Sequence, residues 1–169
     1  MKKNLVYLFN AVLGALTFVI FALPFIASFV DVAGNKISET VSGYKIMDLW
    51  DYEALGVLSS LLQIFVLVIG ILMLAYGVCG LLKEYGVFKA FPDSFGKLDA
   101  KKLGEYILLV YAAVNVLLLV FLIAFCIANT EEIYSAKAGF RVSGGMIVAP
   151  ILSVGSYVAY KILNKKLLA

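Results

Sequence analysis

The sequence predicts an all-α integral membrane protein: a four-transmembrane-helix, up-down-up-down bundle with a small extracellular β-containing cap. Three observations predict it. Apolar and aromatic residues make up 63% of the 169-residue chain, against roughly 45–50% in soluble domains. A chain this short has too little interior to hide that much apolar surface. The apolar residues gather into four long runs, and the charges gather at the ends of those runs with a strong bias in sign.

The first run covers residues 5–30, the second 55–82, the third 103–128 and the fourth 146–163. Each meets or approaches the roughly 20 residues that cross about 30 Å of hydrocarbon as helix. Apart from Glu105 and Lys161, near run ends, they carry no charge. Backbone amides in hydrocarbon need internal partners, so such runs are helices rather than open strands. Lys2 and Lys3 before the first run imitate a secretory signal. Its apolar stretch exceeds the 7–15 residues of such a signal, so it reads as a retained span.

Lysine placement sets the expected orientation. Ten lysines lie on the side of the N-terminus: Lys2, Lys3, Lys83, Lys89, Lys97, Lys101, Lys102, Lys161, Lys165 and Lys166. Only four bases, Lys36, Lys45, Lys137 and Arg141, lie opposite, among Asp31, Glu39, Asp48, Asp51, Glu53, Glu131 and Glu132. Both termini are therefore expected in the cytoplasm, with the protein in the cell membrane. Arg141 is the only arginine, a bias that suits an AT-rich bacterial genome.

The first outer loop, residues 31–54, holds Ile37, Thr40, Val41, Tyr44 and Ile46 around Ser42-Gly43. That pattern predicts a hairpin turning at Ser42-Gly43. The second outer loop, residues 129–145, contains Gly139-Phe140-Arg141-Val142, which echoes Gly43-Tyr44-Lys45-Ile46. A duplicated helix–loop–helix unit would explain the echo. The two loops are expected to join in one small sheet. Trp50 and Tyr52 sit where the first loop re-enters the membrane, as interfacial anchors do. With Tyr44 and Phe140 they form the candidate outer interaction surface. The inner loop, residues 83–102, mixes Tyr85, Phe88, Phe91 and Phe95 with lysines, which suits a segment lying on anionic lipid. Pro92 and Gly96 bar one continuous helix there. Asp99 is a candidate N-cap for the third span.

No enzyme chemistry emerges. The chain has no histidine, and it lacks a phosphate-binding loop and a dinucleotide fingerprint. Asp48, Asp51 and Glu53 flank Trp50 at a membrane edge, where solvated charge accounts for them; divalent cation binding is the sharper alternative. Cys79 and Cys126 each sit in an apolar run and read as small packed hydrophobes. The net charge of +3 comes without a basic stripe of the kind that binds nucleic acid.

Polar side chains inside the spans are Asn10, Thr17, Ser59, Ser60, Gln63, Asn115, Ser153 and Ser156. No carboxylate lies at mid-membrane, which disfavours proton-coupled transport. Asn10, Gln63 and Asn115 are the candidate intramembrane polar contacts, joining helices by hydrogen bonds or lining a pore. Small residues at Ala11 and Ala15, Gly77 and Gly80, and Gly155 and Ala159 mark candidate close approaches.

The layout resembles that of claudins and related tetraspan groups, which carry a tryptophan-cysteine-cysteine signature in the first outer loop. Trp50 is present without the cysteines, and the likeness implies topology alone. The expected function is a non-enzymatic scaffold or accessory subunit with no cofactor. Its expected partners are the lipid bilayer and either a membrane or surface protein or further copies of itself. An oligomeric channel or pore subunit for ions or small solutes is the alternative.

Overall fold

Pro24 ends the first helix. In the structure, a computed structural model, residues 4–32, 34–51, 54–89, 92, 94–95, 98–133 and 136–168 are described. Helix α1 spans Leu5–Ala22, and strand β1 follows at Pro24–Val32. Proline lacks an amide hydrogen and disfavours helical backbone at the residue before it. The helical span expected over residues 5–30 is therefore corrected: from Pro24 onward it is strand. An apolar run reads alike by hydropathy in helix and in buried strand, and Phe25, Ile26, Phe29 and Val30 favour the strand.

Strand β1 pairs antiparallel with β2, Asn35–Ser42, placing Asp31 opposite Lys36. The turn lies at Gly34, whose φ of 87° suits glycine, and its amide donates to Asp31 Oδ1 at 3.2 Å. The turn expected at Ser42-Gly43 is thus displaced to Gly34. Gly43 instead opens a 3₁₀ helix, Gly43–Asp51. A Cβ on Gly43 would lie 3.0 Å from the Phe21 backbone, so this glycine serves a close approach rather than a turn.

Helices α2 (Ala54–Glu84), α3 (Ala100–Ala128) and α4 (Gly144–Leu168) complete the four. All four helices are long and apolar enough to cross a membrane. Helices α2, α3 and α4 outrun the expected spans at their charged ends. Gly86, with φ 76°, takes the left-handed position after α2, and Asp99 Oδ1 accepts the Lys101 amide at 2.9 Å, capping α3 as expected. Between α2 and α3, β3 (Ser94–Phe95) and β4 (Leu98–Asp99) form a minimal hairpin. Between α3 and α4 come β5 (Glu131–Ile133) and β6 (Ala136–Val142).

The segment after α1 and the segment between α3 and α4 do join in one sheet, as expected of those two loops. Strand β1 pairs antiparallel with β6, and the order is β2-β1-β6-β5, with short β5 at one edge. The duplicated unit does not follow. Gly43-Tyr44-Lys45-Ile46 is 3₁₀ helix whereas Gly139-Phe140-Arg141-Val142 lies in β6; like residues take unlike backbones.

The chain divides into two compact units. The first comprises Met1–Phe18, Val66–Ala113 and Ile151–Ala169. Here α1 and α2 run antiparallel and very close. A Cβ on Gly77 would strike the Ala11 backbone and lie 2.6 Å from the Tyr7 carbonyl, and one on Gly70 would lie 2.8 Å from Thr17. Glycines that bring backbones together provide the dispersion contact that holds helices where both sides are apolar. Ala11 and Gly77 were legible as close approaches. Ala15 is exposed, and among the described residues nothing lies near a Cβ on Gly155, so neither of those two marks a close approach among them.

The second unit comprises Val19–Phe65 and Val114–Pro150. Its core gathers Phe21, Phe25, Ile26, Ile46, Leu122, Phe125 and Met146, all essentially solvent-free. Ring pairs lock it: Phe21 meets Phe25 edge-on at 5.5 Å, and Phe125 meets Phe140 at 5.1 Å. The Ser143 amide donates to the Phe25 carbonyl at 2.8 Å, fixing the start of α4 beside β1.

Candidate functional site

Every polar side chain named inside the spans except Ser156 is almost wholly buried. In the first unit, Asn10 Nδ2 donates to the Val6 carbonyl at 2.8 Å on its own helix. It also donates to the Gly104 carbonyl on α3, at 3.2 Å. Seven residues further along α1, the Thr17 hydroxyl donates to the Leu13 carbonyl and lies 2.6 Å from the Tyr111 hydroxyl. Asn10 to Gly104 and Thr17 to Tyr111 keep one offset along the chain, so α1 and α3 run parallel in this unit. Tyr76 donates from α2 to the Ala100 carbonyl, and its hydroxyl and ring border Gly104.

In the second unit, α2 holds the 3₁₀ helix by two hydrogen bonds. Ser60 Oγ donates to the Ile46 carbonyl at 2.9 Å, and Gln63 Nε2 donates to the Gly43 carbonyl at 3.1 Å. Ser59 bonds back to Leu55 in its own helix. Asn115 is fully buried on α3. So Asn10 joins two helices as glue would, while Gln63 fastens a loop rather than a neighbouring span.

The candidates for an interaction surface are placed unevenly. Tyr44 is half-exposed, with its ring edge-on to Phe21 at 5.7 Å. Phe140 is partly buried against Phe125 and lines a shallow cleft of about 280 Å³ with Ser28, Phe29, Glu131 and Gly139. Trp50 lies in the 3₁₀ helix, and its side chain is outside what is described, as are those of Asp48 and Asp51. Tyr52, Glu53, Phe91, Gly96 and Lys97 fall outside the described residues. Strand β2 is solvent-exposed for nearly its whole length. Among the described residues, no group of three or more His, Cys, Asp or Glu side chains gathers in a way that could hold a metal ion.

One cluster went unread in the sequence. Glu105, a turn inside α3, is met by two residues of α4. Tyr160 donates to Glu105 Oε1 at 2.7 Å, and Lys161 Nζ sits 2.6 Å from Oε2. Tyr160 is buried and stacks edge-on to Phe9 at 5.9 Å. Lys161 also lies 5.7 Å from the Tyr157 ring centroid. The signal was present: opposite charges one turn inside the lysine-bearing ends of consecutive, oppositely directed spans. No protein family, no curated protein and no solved structure matches the chain.

Proposed function

We propose that the chain is a multi-pass protein of a bacterial cell membrane, with both termini cytoplasmic, acting as a non-enzymatic scaffold or accessory subunit. The observation that carries the reading is where the polar groups go. Asn10, Thr17, Ser59, Ser60 and Gln63 all turn inward and bond to backbone or to another buried side chain. The outward helix residues, such as Leu8, Val12, Val19, Phe65, Leu72, Val120, Ile151 and Ile162, are apolar. A surface of that kind suits lipid, and the excess of lysines at one end supports the orientation. At the other end β2 leaves an exposed strand edge, a surface that partner chains use by strand addition.

Gentle extraction with crosslinking and mass measurement tests the scaffold. The expected result is a complex with a second membrane or surface protein; recovery of isolated chains alone contradicts it.

A second reading, an oligomeric pore subunit, draws on two particular atoms. Asn10 Oδ1 and Gln63 Oε1 are buried and accept no hydrogen bond among the described residues. A buried acceptor of that kind calls for water. Liposomes bearing the purified protein should then pass ions or small solutes, with the flux altered by Gln63→Leu. Tight liposomes leave the scaffold.

A further inference from the structure

The Glu105 cluster floors a cleft between α3 and α4 of about 260 Å³, lined by Lys102, Glu105, Tyr106, Leu109, Tyr157 and Lys161. We infer that this cleft binds the headgroup of an anionic phospholipid, with the lipid phosphate between Lys102 and Lys161. The inference rests on the membrane reading above and adds to it a site, a ligand class and a set of ligating residues.

The lining has a direction. On α3, Lys102, Tyr106 and Leu109 follow one another at helical spacing along one face, from charged to amphipathic to apolar. On α4, which meets α3 antiparallel, Lys161 precedes Tyr157 in the same sense. Glu105 is bonded to Tyr160 and Lys161, and Leu109 and Tyr157 share the cleft one to two turns further along. Charge, then phenol, then hydrocarbon along the lining matches, in order, the phosphate, ester and acyl groups of a phospholipid. Tyrosines at this level match the headgroup region.

The charges are arranged for an anion despite the carboxylate. Both Glu105 oxygens are engaged, Oε1 by the Tyr160 hydroxyl and Oε2 by Lys161. An ammonium carries three donors, so Lys161 holds its place with one and has two left for a ligand; its side chain is 46% exposed. Lys102 and Tyr106 are exposed beside it. The lining carries two cations against one anion. At about 260 Å³ the cleft falls short of the roughly 300–1,000 Å³ of sites that enclose drug-sized ligands. It has room for a headgroup whose chains lie outside along the helices.

The test is lipid retention by the purified full chain in neutral detergent, read by native mass spectrometry. Phosphatidylglycerol, phosphatidylcholine and inorganic phosphate are added at equal concentrations. One phosphatidylglycerol should be retained at least fivefold more tightly than phosphatidylcholine, with inorganic phosphate failing to displace it. Lys102→Gln should weaken retention about fivefold, the effect of one lysine near an anionic headgroup, while Lys36→Gln on β2 leaves it unchanged. Lys161→Gln also strips Glu105 of its cation, so its loss of binding counts only where thermal stability is kept; Lys102→Gln decides the matter by itself. Equal retention of the two lipids, or indifference to Lys102→Gln, overturns the site. Displacement by inorganic phosphate would make it a simple anion site and overturn the lipid assignment. Because binding is measured on purified protein, an inverted orientation in cells would leave it intact, so the two failures are distinguishable.

Discussion

The two compact units solve the same problem by different means. The first holds ten lysines against four acids, a balance of +6, and the second holds four bases against seven acids, a balance of −3. In the first, α1 meets α2 backbone to backbone at Gly14 and Gly77 and backbone to side chain at Gly70 and Gly80, and Asn10, Thr17 and Tyr76 add hydrogen bonds from these helices to α3. In the second, helix meets 3₁₀ backbone, and Ser60 and Gln63 fasten the two by donating to the Ile46 and Gly43 carbonyls. The difference teaches that helices close on one another at glycines and are pinned by a few helix-to-helix bonds, whereas a 3₁₀ segment is fastened to its neighbour by side-chain donors. Where backbone leaves the helix, its freed carbonyls need side-chain donors.

The largest expected effect breaks the glycine seam. Gly77→Val places carbon against the Ala11 and Tyr7 backbone, which cannot move aside as a side chain can. Overpacking of this kind costs roughly 3 kcal/mol, and unfolding titrations in mixed micelles should show it as loss of the folded chain. Gly155→Val, with nothing near its Cβ, should leave the same titration unchanged.

Next comes the fastening of the 3₁₀ helix. Gln63→Leu removes the side-chain donor to the Gly43 carbonyl, at about 0.5–1.5 kcal/mol. Hydrogen exchange should quicken over residues 43–51 while amides of the first unit keep their protection. Uniform quickening in both units would dissolve the comparison. Thr17→Val with Tyr111→Phe sharpens it from the other side: a double-mutant cycle should give a coupling of about 0.6–1.7 kcal/mol, the range of bonds between helices in lipid. Smallest is Lys36→Gln. Its ion pair with Asp31 is long, 3.9 Å, and largely solvated, and stability should shift by less than about 0.5 kcal/mol.

The helices, the sheet joining the loops after α1 and after α3, and the Asp99 cap were legible because each rests on local chemistry: run length, β-branching, and a capping carboxylate at the right offset. The end of α1 was not, although Pro24 announces it, because Phe25–Val30 is apolar enough to continue either as helix or as strand. The hairpin turn was misplaced because two glycines competed for it. Gly34 has Asp31 three residues before it to accept its amide, whereas Gly43 is small because Phe21 leaves no room, a constraint visible only in the fold. The Glu105–Tyr160–Lys161 cluster joins residues 55 and 56 positions apart. Only the docking of α4 on α3 brings them together, and no local pattern encodes that register.

The central claim is that lipid separates the sheet from the lysine-rich helix ends. Single-cysteine labelling of intact cells tests it directly, with Cys79 and Cys126 first replaced by alanine. Lys36→Cys on β2 and Lys166→Cys on α4 are both solvent-exposed positions. A membrane-impermeant maleimide should label Lys36→Cys at once and Lys166→Cys only after permeabilisation. Labelling of both without permeabilisation, or the reverse order, would contradict the account.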